Sequence, residues 1–449
     1  MRQNKIMLFS NKDLRKLLIP LIIEQVLTAL MGTVDTLMVS NIGSAAVSGV
    51  SCVDSINKLV IFLFTAVSTG GCIICAQFLG RSDKKGAGDA AGQVLLSSAV
   101  ISVFLMAMCL LFREGLLQRI FGNVEPAVMD AALQYFLITI ISYPFIAMFN
   151  ACAAIYRAAG NSKLPMIISA SCNVLNIIGN YILLFVVRMG VYGAALSTTI
   201  SMALACVIIM VALRREKELL IVGSYLKIRP NLRLILRVLK IGIPTGIENS
   251  MFQFGKLIVQ STVATLGTMA IASNAIIVQL EFFSSMPSSA VGTGLVTVAG
   301  HCIGAGKTDE AKYYIKKLTI WAAVLLLATN WLIYAISLPV CHLANFDEAT
   351  IALTMSVMLV ISIVKPFLWP VAFVPSNGMR AAGDVNFSMI TAVISMWVFR
   401  VGLTTVLCRF LHVGLIGIWA GYFLDWAVRS VANYLRYRSG KWTRHKVLD

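Results

Sequence analysis

Ten ionisable side chains lie inside stretches of the sequence that are otherwise apolar. They are Glu24, Asp35, Asp54, Glu248, Glu281, Asp425, Lys58, Lys256, Lys365 and Arg400. A charge inside a bilayer costs roughly 2.5–3.5 kcal/mol on insertion scales, so such residues usually bind ions or protons, or pair with one another. The set therefore predicts proton or cation chemistry, or ion pairing, within a membrane.

Asp35 is the strongest candidate for binding a proton or a cation. It lies about five residues, or roughly 7–8 Å, inside one end of the first apolar segment. Asn180 and Thr198 lie at a similar depth in two later segments, and Asn176 is one turn from Asn180 on the same helix face. One carboxylate with three neutral oxygen groups suits a hard cation, and the carboxylate alone can carry a proton. Alternatively, the Asn and Thr side chains only form hydrogen bonds between helices.

Two further pairs of charges have alternative interpretations. Asp54 and Lys58 have the i,i+4 spacing of a helical ion pair, but their depth also places them near Asp35, where they could take part in ion coupling. Lys256 and Glu281 lie at similar depths in successive segments and could pair. Such a pair would either be structural or set the electrostatics of a cavity.

Glu24 and Glu248 each follow a proline by four residues, at Pro20 and Pro244. One interpretation is that each carboxylate bonds backbone groups freed by the proline kink. The other is that the two acids line a cleft that opens toward the cytoplasm.

The sequence Arg-Ala-Ala-Gly occurs twice, at Arg157–Gly160 and Arg380–Gly383. Gly160 and Gly383 fit the C-terminal caps of helices, where glycine is favoured. We interpret the two arginines as gate or topology elements at the cytoplasmic face rather than as substrate contacts.

The composition indicates a membrane protein. Of 449 residues, 58% are hydrophobic and 13% charged, and the mean hydropathy is +0.84. Soluble domains are about 25% charged, so a soluble enzyme, a disordered chain and a disulfide scaffold are disfavoured. The apolar segments predict an all-α polytopic membrane protein with twelve transmembrane helices. These cover 17–40, 46–78, 93–112, 127–155, 164–187, 191–213, 238–265, 270–303, 315–338, 350–376, 385–408 and 413–437.

The basic residues predict the orientation. The formal net charge is +17. Both chain tails and the loops on the same side of the membrane contain 29 Lys and Arg residues, whereas the loops on the opposite side contain 4. Because basic loops stay in the cytoplasm, we expect a multi-pass protein of the cell membrane with both termini cytoplasmic. Because Lys and Arg in cytoplasmic loops fix the orientation of a membrane protein, the positive net charge needs no nucleic-acid partner, and none is expected. Nearly all the cysteines lie in apolar segments, and the Cys72–Cys75 pair has no nearby histidine, so no metal or cofactor site is predicted.

An internal repeat relates the two halves of the chain. Ile19-Pro20 matches Ile243-Pro244 and, at the same shift, Thr69-Gly70 matches Thr293-Gly294. This predicts an N-terminal six-helix lobe (1–213), a cytoplasmic linker (214–237) and a C-terminal six-helix lobe (238–449). Six spans per lobe make the repeat parallel, with a pseudo-two-fold axis along the membrane normal, which is typical of transporters. A channel or an intramembrane enzyme lacks supporting motifs, so we expect no enzymatic activity.

The chain resembles the multidrug and toxic compound extrusion (MATE) family over residues 14–437. The matching stretches are Met31-Gly-Thr-Val-Asp-Thr-Leu-Met-Val-Ser40, Thr69-Gly-Gly71, Gln77-Phe-Leu-Gly80 and Tyr156-Arg-Ala-Ala-Gly-Asn161. The resemblance implies a V-shaped pair of six-helix lobes. It also implies export of small amphipathic, often cationic, compounds in exchange for protons or sodium. We expect a monomer in the lipid bilayer.

The resemblance also implies a coupling-ion site. Its family positions map onto Asp35, Asn176, Asn180 and Thr198, but many members carry Asp where this chain has Asn180. With one formal charge left, we predict protons as the coupling ion, with sodium at Asp35 as the alternative. The alternative function is that of a lipid-linked precursor flippase of the same broad superfamily. It would need a cation-rich cavity, for which Lys58, Lys256, Lys365 and Arg400 are the candidates.

Overall fold

The computed structural model describes residues 7–216, 228–445 and 447–448. Regular structure in these ranges is helical throughout, in agreement with the all-α prediction, and comprises thirteen α-helices. Their bounds are α1 Asn11–Ser40, α2 Ser44–Gly80, α3 Lys84–Phe121, α4 Pro126–Ile141, α5 Tyr143–Ala158, α6 Lys163–Asn180, α7 Gly190–Arg215, α8 Leu232–Ala264, α9 Thr268–Gly304, α10 Thr308–Leu343, α11 Glu348–Ala381, α12 Val385–Ile394 and α13 Leu415–Ser439. Further turns are π-helical at Tyr181–Val186, Ser395–Leu403 and Val406–Phe410, and 3-10 at Lys441–Arg444.

Each predicted span coincides with a helix or a helix pair. The span predicted over 127–155 is divided into α4 and α5, which are bent by 46° at Ser142. Pro144 lies in the first turn of α5, where its missing N–H costs no helical hydrogen bond. The observed helices run beyond the apolar segments; for example, α3 begins at Lys84 rather than at 93. Its N-terminus is stabilised by the Asp83 side chain, which accepts a hydrogen bond from the Gly86 N–H.

Most of the helices could cross a membrane. By length and composition, nine of those in the described ranges qualify, and α4 with α5 as one bent span makes ten. The helices α8 and α13 do not qualify. The first carries Glu248 and Lys256, and the second carries Asp425 and Arg429. These two predicted spans therefore contain charged side chains that need partners within the protein.

The chain divides into two compact units. The N-terminal unit is Arg15–Gly246, and the C-terminal unit is Met1–Leu14 together with Ile247–Asp449. The division falls within α8, later than the predicted linker at 214–237, of which residues 217–227 lie outside the described residues. The first part of α8 belongs to the N-terminal unit because it lies against α2: a Cβ on Gly70 would come within 2.5 Å of the Val238 carbonyl oxygen.

Each unit has its own hydrophobic core. In the N-terminal unit, the core includes Phe64 and Phe136, which α2 and α4 contribute. In the C-terminal unit, Trp419 and Trp426 of α13 pack with Met358 of α11. The polar side chains described below are held by helices packed around these cores.

The backbone repeats the internal duplication of the sequence. Gly190 and Gly414, which correspond in the repeat, both have positive φ, at 61° and 73°; Gly190 is the first residue of α7 and Gly414 immediately precedes α13. The π-helical turns Tyr181–Val186 and Val406–Phe410 also correspond at this shift. The Arg-Ala-Ala-Gly motifs before them match at a slightly shorter shift. The extra π-helical turn Ser395–Leu403 lies where the shift changes, and a π turn accommodates one additional residue.

Candidate functional site

Four polar side chains from three helices converge in the N-terminal unit. On α6, Asn180 Nδ2 donates a hydrogen bond of 2.7 Å to Asp35 Oδ1 of α1. The Asn176 amide lies 2.9 Å from the same oxygen and 3.1 Å from Thr198 Oγ1 of α7. With its nitrogen toward Asp35, Asn176 donates to the carboxylate and accepts from Thr198. The structure therefore brings together the four residues that the sequence grouped.

A serine of α7 anchors the backbone of α6 at this site. Ser197 Oγ of α7 donates to the Asn176 carbonyl oxygen over 2.9 Å, which ties α7 to α6. Asn180 is 1% exposed and Asn176 5% exposed, whereas Asp35 is only half-buried. Directly after Asn180 the helix becomes π-helical, an irregularity that is frequent at functional sites. The carboxylate is thus the accessible member of a site with buried partners.

The donor pattern limits what this site can bind as it stands. Both amides direct N–H groups at Asp35, and hydrogen bonds of this kind stabilise an ionised carboxylate. A hard cation needs oxygen ligands, so Asn180 would have to turn its amide to coordinate one. The arrangement suits a carboxylate that gains and loses a proton.

Asp54 and Lys58 do not form the direct ion pair that their spacing permits, as far as the described residues go. Lys58 is exposed, and it acts on Asp54 only through space. Asp54 instead lies 3.4 Å from the hydroxyl of Tyr135 on α4. Asp54 and Asp35 are close enough to interact electrostatically, which agrees with the prediction that Asp54 lies at a depth near Asp35.

Glu24 and Glu248 each face the arginine of an Arg-Ala-Ala-Gly motif. Glu24 lies 3.8 Å from Arg157 in the N-terminal unit, and Glu248 lies 2.7 Å from Arg380 in the C-terminal unit. The sequence singled out all four residues but did not pair them. Both pairs link the first helix of a repeat to the end of its fourth span, so the duplication has preserved an ion pair rather than isolated charges.

The glycines of these motifs cap their helices as predicted. Gly160 and Gly383 have φ values of 82° and 96°, a left-handed region that is unfavourable for residues with a Cβ. Their N–H groups donate to the carbonyl oxygens of Arg157 and Arg380, each over 2.9 Å. The turns hold the two arginines at the helix ends, where they reach the glutamates.

The predicted partner of Glu281 was wrong. Glu281 forms its salt bridge with Lys365 of α11, at 2.7 Å, rather than with Lys256. Lys365 is fully buried and also donates to Ser284 Oγ and Ser285 Oγ, at 2.8 and 2.6 Å. Lys256 is exposed, lies over the Phe252 ring and acts on Glu281 through space. Helix depth had suggested Lys256 alone, and the packing of α11 brings Lys365 to Glu281 instead.

A buried charge cluster in the C-terminal unit includes a residue that the sequence analysis missed. Asp425 of α13 forms salt bridges with Arg400, at 2.5 Å, and with Arg429, at 2.8 Å. It also accepts a hydrogen bond from Ser395. Arg429 was overlooked because it lies toward the basic end of the chain, although its i,i+4 spacing from Asp425 could have indicated the pair.

A sequence profile and several curated proteins resemble this chain. The profile of the MatE family matches residues 20–182 and 244–406, two segments that begin at corresponding positions of the internal repeat. The "Probable multidrug resistance protein NorM" of Thermotoga maritima is 27% identical over 445 residues, covering 97% of this chain and 94% of that protein. The "Uncharacterized transporter YisQ" of Bacillus subtilis is 29% identical over 430 residues, covering 94% and 93%.

Solved structures share the fold. A structure described as the outward-facing conformation of a multidrug resistance MATE family transporter superposes with a TM-score of 0.89 at 20% identity, covering 95% of both chains. A MATE structure in complex with MaD3S gives the same TM-score, identity and coverage. At this identity the likeness concerns the fold alone.

Proposed function

The chain belongs to the MatE family of multi-pass membrane transporters, and we propose that it is an antiporter that exports small amphipathic compounds in exchange for protons. The observation that carries the proposal is the half-buried Asp35 carboxylate, held by Asn180 at 2.7 Å and by Asn176 at 2.9 Å. Relatives named as probable multidrug resistance proteins align with almost the whole chain, which supports export of small compounds.

Proton exchange at Asp35 would change how α1 is held. The ionised carboxylate accepts hydrogen bonds from two amides of α6, and these bonds hold α1 at that depth. Protonation removes the charge and weakens both bonds, since hydrogen bonds to ionised groups are roughly twice as strong as neutral ones. Freed from this restraint, α1 can repack within the N-terminal unit and expel a bound compound. Loss of the proton to the other side restores the original packing.

Two features favour protons over sodium. Asp35 is the one carboxylate among the four residues of this site, so a single proton neutralises it. Asn180 directs its amide nitrogen rather than its oxygen toward the carboxylate, whereas sodium would need oxygen ligands.

The basic loops support the proposed orientation. From their excess on one side we infer that both termini are cytoplasmic and that the Glu24–Arg157 and Glu248–Arg380 pairs lie at the cytoplasmic face of a cell-membrane protein. We propose that these two pairs act as gate elements and that the protein works as a monomer.

The flippase alternative needs several cations that are free to hold a pyrophosphate. Two of its four candidates are engaged, because Lys365 is bound by Glu281 and Arg400 by Asp425. This favours export of small compounds over transfer of a lipid-linked precursor.

Transport by the purified protein in proteoliposomes tests the proposal. A pH gradient without sodium should drive dye efflux, and a sodium gradient at equal pH should not. Efflux that responds to the sodium gradient alone would contradict proton coupling. The absence of efflux under either gradient would contradict the antiport proposal.

A further inference from the structure

The chain that leads into α1 is bound to the C-terminal unit. We call residues 8–11, which precede and begin this helix, the N-terminal strap. The Tyr314 hydroxyl of α10 accepts a hydrogen bond from the Phe9 N–H over 3.0 Å and donates one to the Phe9 carbonyl oxygen over 2.7 Å. The Leu8 N–H donates to the Glu310 carboxylate of the same helix over 2.9 Å. Two side chains of α10 thus satisfy backbone groups that lie outside any helix.

Side chains of the N-terminal strap add to this attachment. The Phe9 ring packs edge-on against His301 of α9 and against Tyr314, with ring centres 5.6 Å and 6.0 Å apart. Lys317 Nζ of α10 donates to the Asn11 side-chain oxygen over 2.5 Å. Because Tyr314 is fully buried in a close-packed region, its hydroxyl gives the N-terminal strap a fixed point of attachment.

The N-terminal strap attaches one end of the helix that carries Asp35. Residues 1–14 belong to the C-terminal unit and the N-terminal unit begins at Arg15, so α1 starts in one unit and continues in the other. The helix is unbroken over Asn11–Ser40, Pro20 included. Since successive turns of a helix are hydrogen-bonded to one another, a displacement near Asp35 is carried along α1 to the attached end.

We propose that the N-terminal strap is a fixed anchor through which the movement of α1 on proton exchange at Asp35 reaches the C-terminal unit. Phe9 and Tyr314 are then positioning residues for the transport cycle. Without the anchor, α1 would repack within the N-terminal unit and α10 would not follow. This inference deepens the proposed antiport function and rests on it for the statement that the transmitted movement exports a compound.

The natural tryptophans provide a probe of the C-terminal unit alone. All seven lie in it: Trp321, Trp331, Trp369, Trp397, Trp419, Trp426 and Trp442. Tryptophan emission during an acid titration of the purified full-length protein in detergent therefore shows whether a proton at Asp35 affects that unit. The difference between the titrations of a protein and of its Asp35→Asn derivative is the Asp35-dependent component. Asp54 and Tyr135, the ionisable groups that interact with Asp35, are unchanged in every variant compared.

Variants of the N-terminal strap should reduce this component. Wild type should show it, and Tyr314→Phe, which removes the bridging hydroxyl, should reduce it about fivefold or more, as should Phe9→Ala. Phe9→Tyr keeps the ring and should retain the component. The matched control is Tyr313→Phe, which removes a hydroxyl from the neighbouring, 48% exposed tyrosine and keeps the ring that Lys317 contacts. It should leave the component unchanged.

A cross-link distinguishes a fixed anchor from a latch that must release. Asn11→Cys combined with Lys317→Cys places two thiols where the native side chains are in contact, and a short bifunctional thiol reagent can join them. The cross-linked protein should keep the Asp35-dependent component of the same variant before cross-linking. The two single-cysteine variants, treated with the same reagent, control for reaction at the native cysteines.

The inference is overturned if wild type lacks the Asp35-dependent component, or if cross-linking abolishes it. A component that persists in Tyr314→Phe and Phe9→Ala, even with a lower thermal midpoint, would show that the N-terminal strap is only structural. If Tyr314→Phe does not fold, Phe9→Ala decides. Dye efflux from proteoliposomes is measured separately, so a wild type that responds in fluorescence without exporting dye would refute antiport and leave the anchor in place.

Discussion

Asn180 is the residue that sets the coupling ion in our proposal, so Asn180→Asp should change it. The new carboxylate would occupy the position of an amide whose nitrogen lies 2.7 Å from Asp35 Oδ1. At that separation and an effective dielectric constant of about 20, two negative charges repel by about 6 kcal/mol. This disfavours the doubly ionised state by about four orders of magnitude relative to a state in which a cation or proton neutralises one charge.

We expect sodium to relieve this repulsion. Carboxylate oxygens on α1 and α6 would replace the present amide donors with the oxygen ligands that a hard cation needs. Recovering about a quarter of the roughly 6 kcal/mol is enough to raise the apparent sodium affinity about tenfold. Asn180→Asp in proteoliposomes should therefore export dye when a sodium gradient is imposed at equal pH, whereas wild type should stay at background.

The matched control moves the single charge instead of adding one. The double variant Asp35→Asn/Asn180→Asp keeps one carboxylate in the site and should remain insensitive to sodium. If Asn180→Asp ignores sodium, or if wild type already responds to it, the identity of residue 180 does not select the ion and our reasoning from the donor pattern fails.

Three further predictions concern coupling, the ion pairs and orientation. Asp35→Asn should fold and insert but lose dye efflux to background under a pH gradient, while Asp309→Asn, at an exposed position, should export normally; near wild-type efflux from Asp35→Asn would remove Asp35 from the mechanism. Glu248→Gln should leave the Arg380 guanidinium without its carboxylate and destabilise the protein by about 1–3 kcal/mol, measured as a lower thermal midpoint; an unchanged midpoint would show that the pair contributes nothing. A cysteine introduced at Ser224, outside the described residues, should resist impermeant thiol reagents in intact cells; rapid labelling above the native background would reverse the topology.

The sequence determined the elements and the depth of the polar groups. Apolar runs predicted twelve spans, and each coincides with an observed helix or helix pair. A constant shift predicted the duplication, which the positive φ of Gly190 and Gly414 repeats in the backbone. Helical periodicity put Asn176 and Asn180 on one face at the depth of Asp35, and the three side chains meet there. These features follow from the chain because rise and rotation per residue are fixed within a helix.

The tertiary structure decided which charge pairs with which. Depth along the helices suggested Lys256 as the partner of Glu281, and only the packing of α11 against α9 gave the salt bridge to Lys365. The same holds for Glu24 with Arg157 and for the cluster around Asp425. A sequence sets how far a side chain lies along its own helix, whereas a partner depends on how neighbouring helices rotate and approach. Irregular helix geometry was also decided by the tertiary structure: the additional π-helical turn at Ser395–Leu403 lies where the shift between the halves changes by one residue.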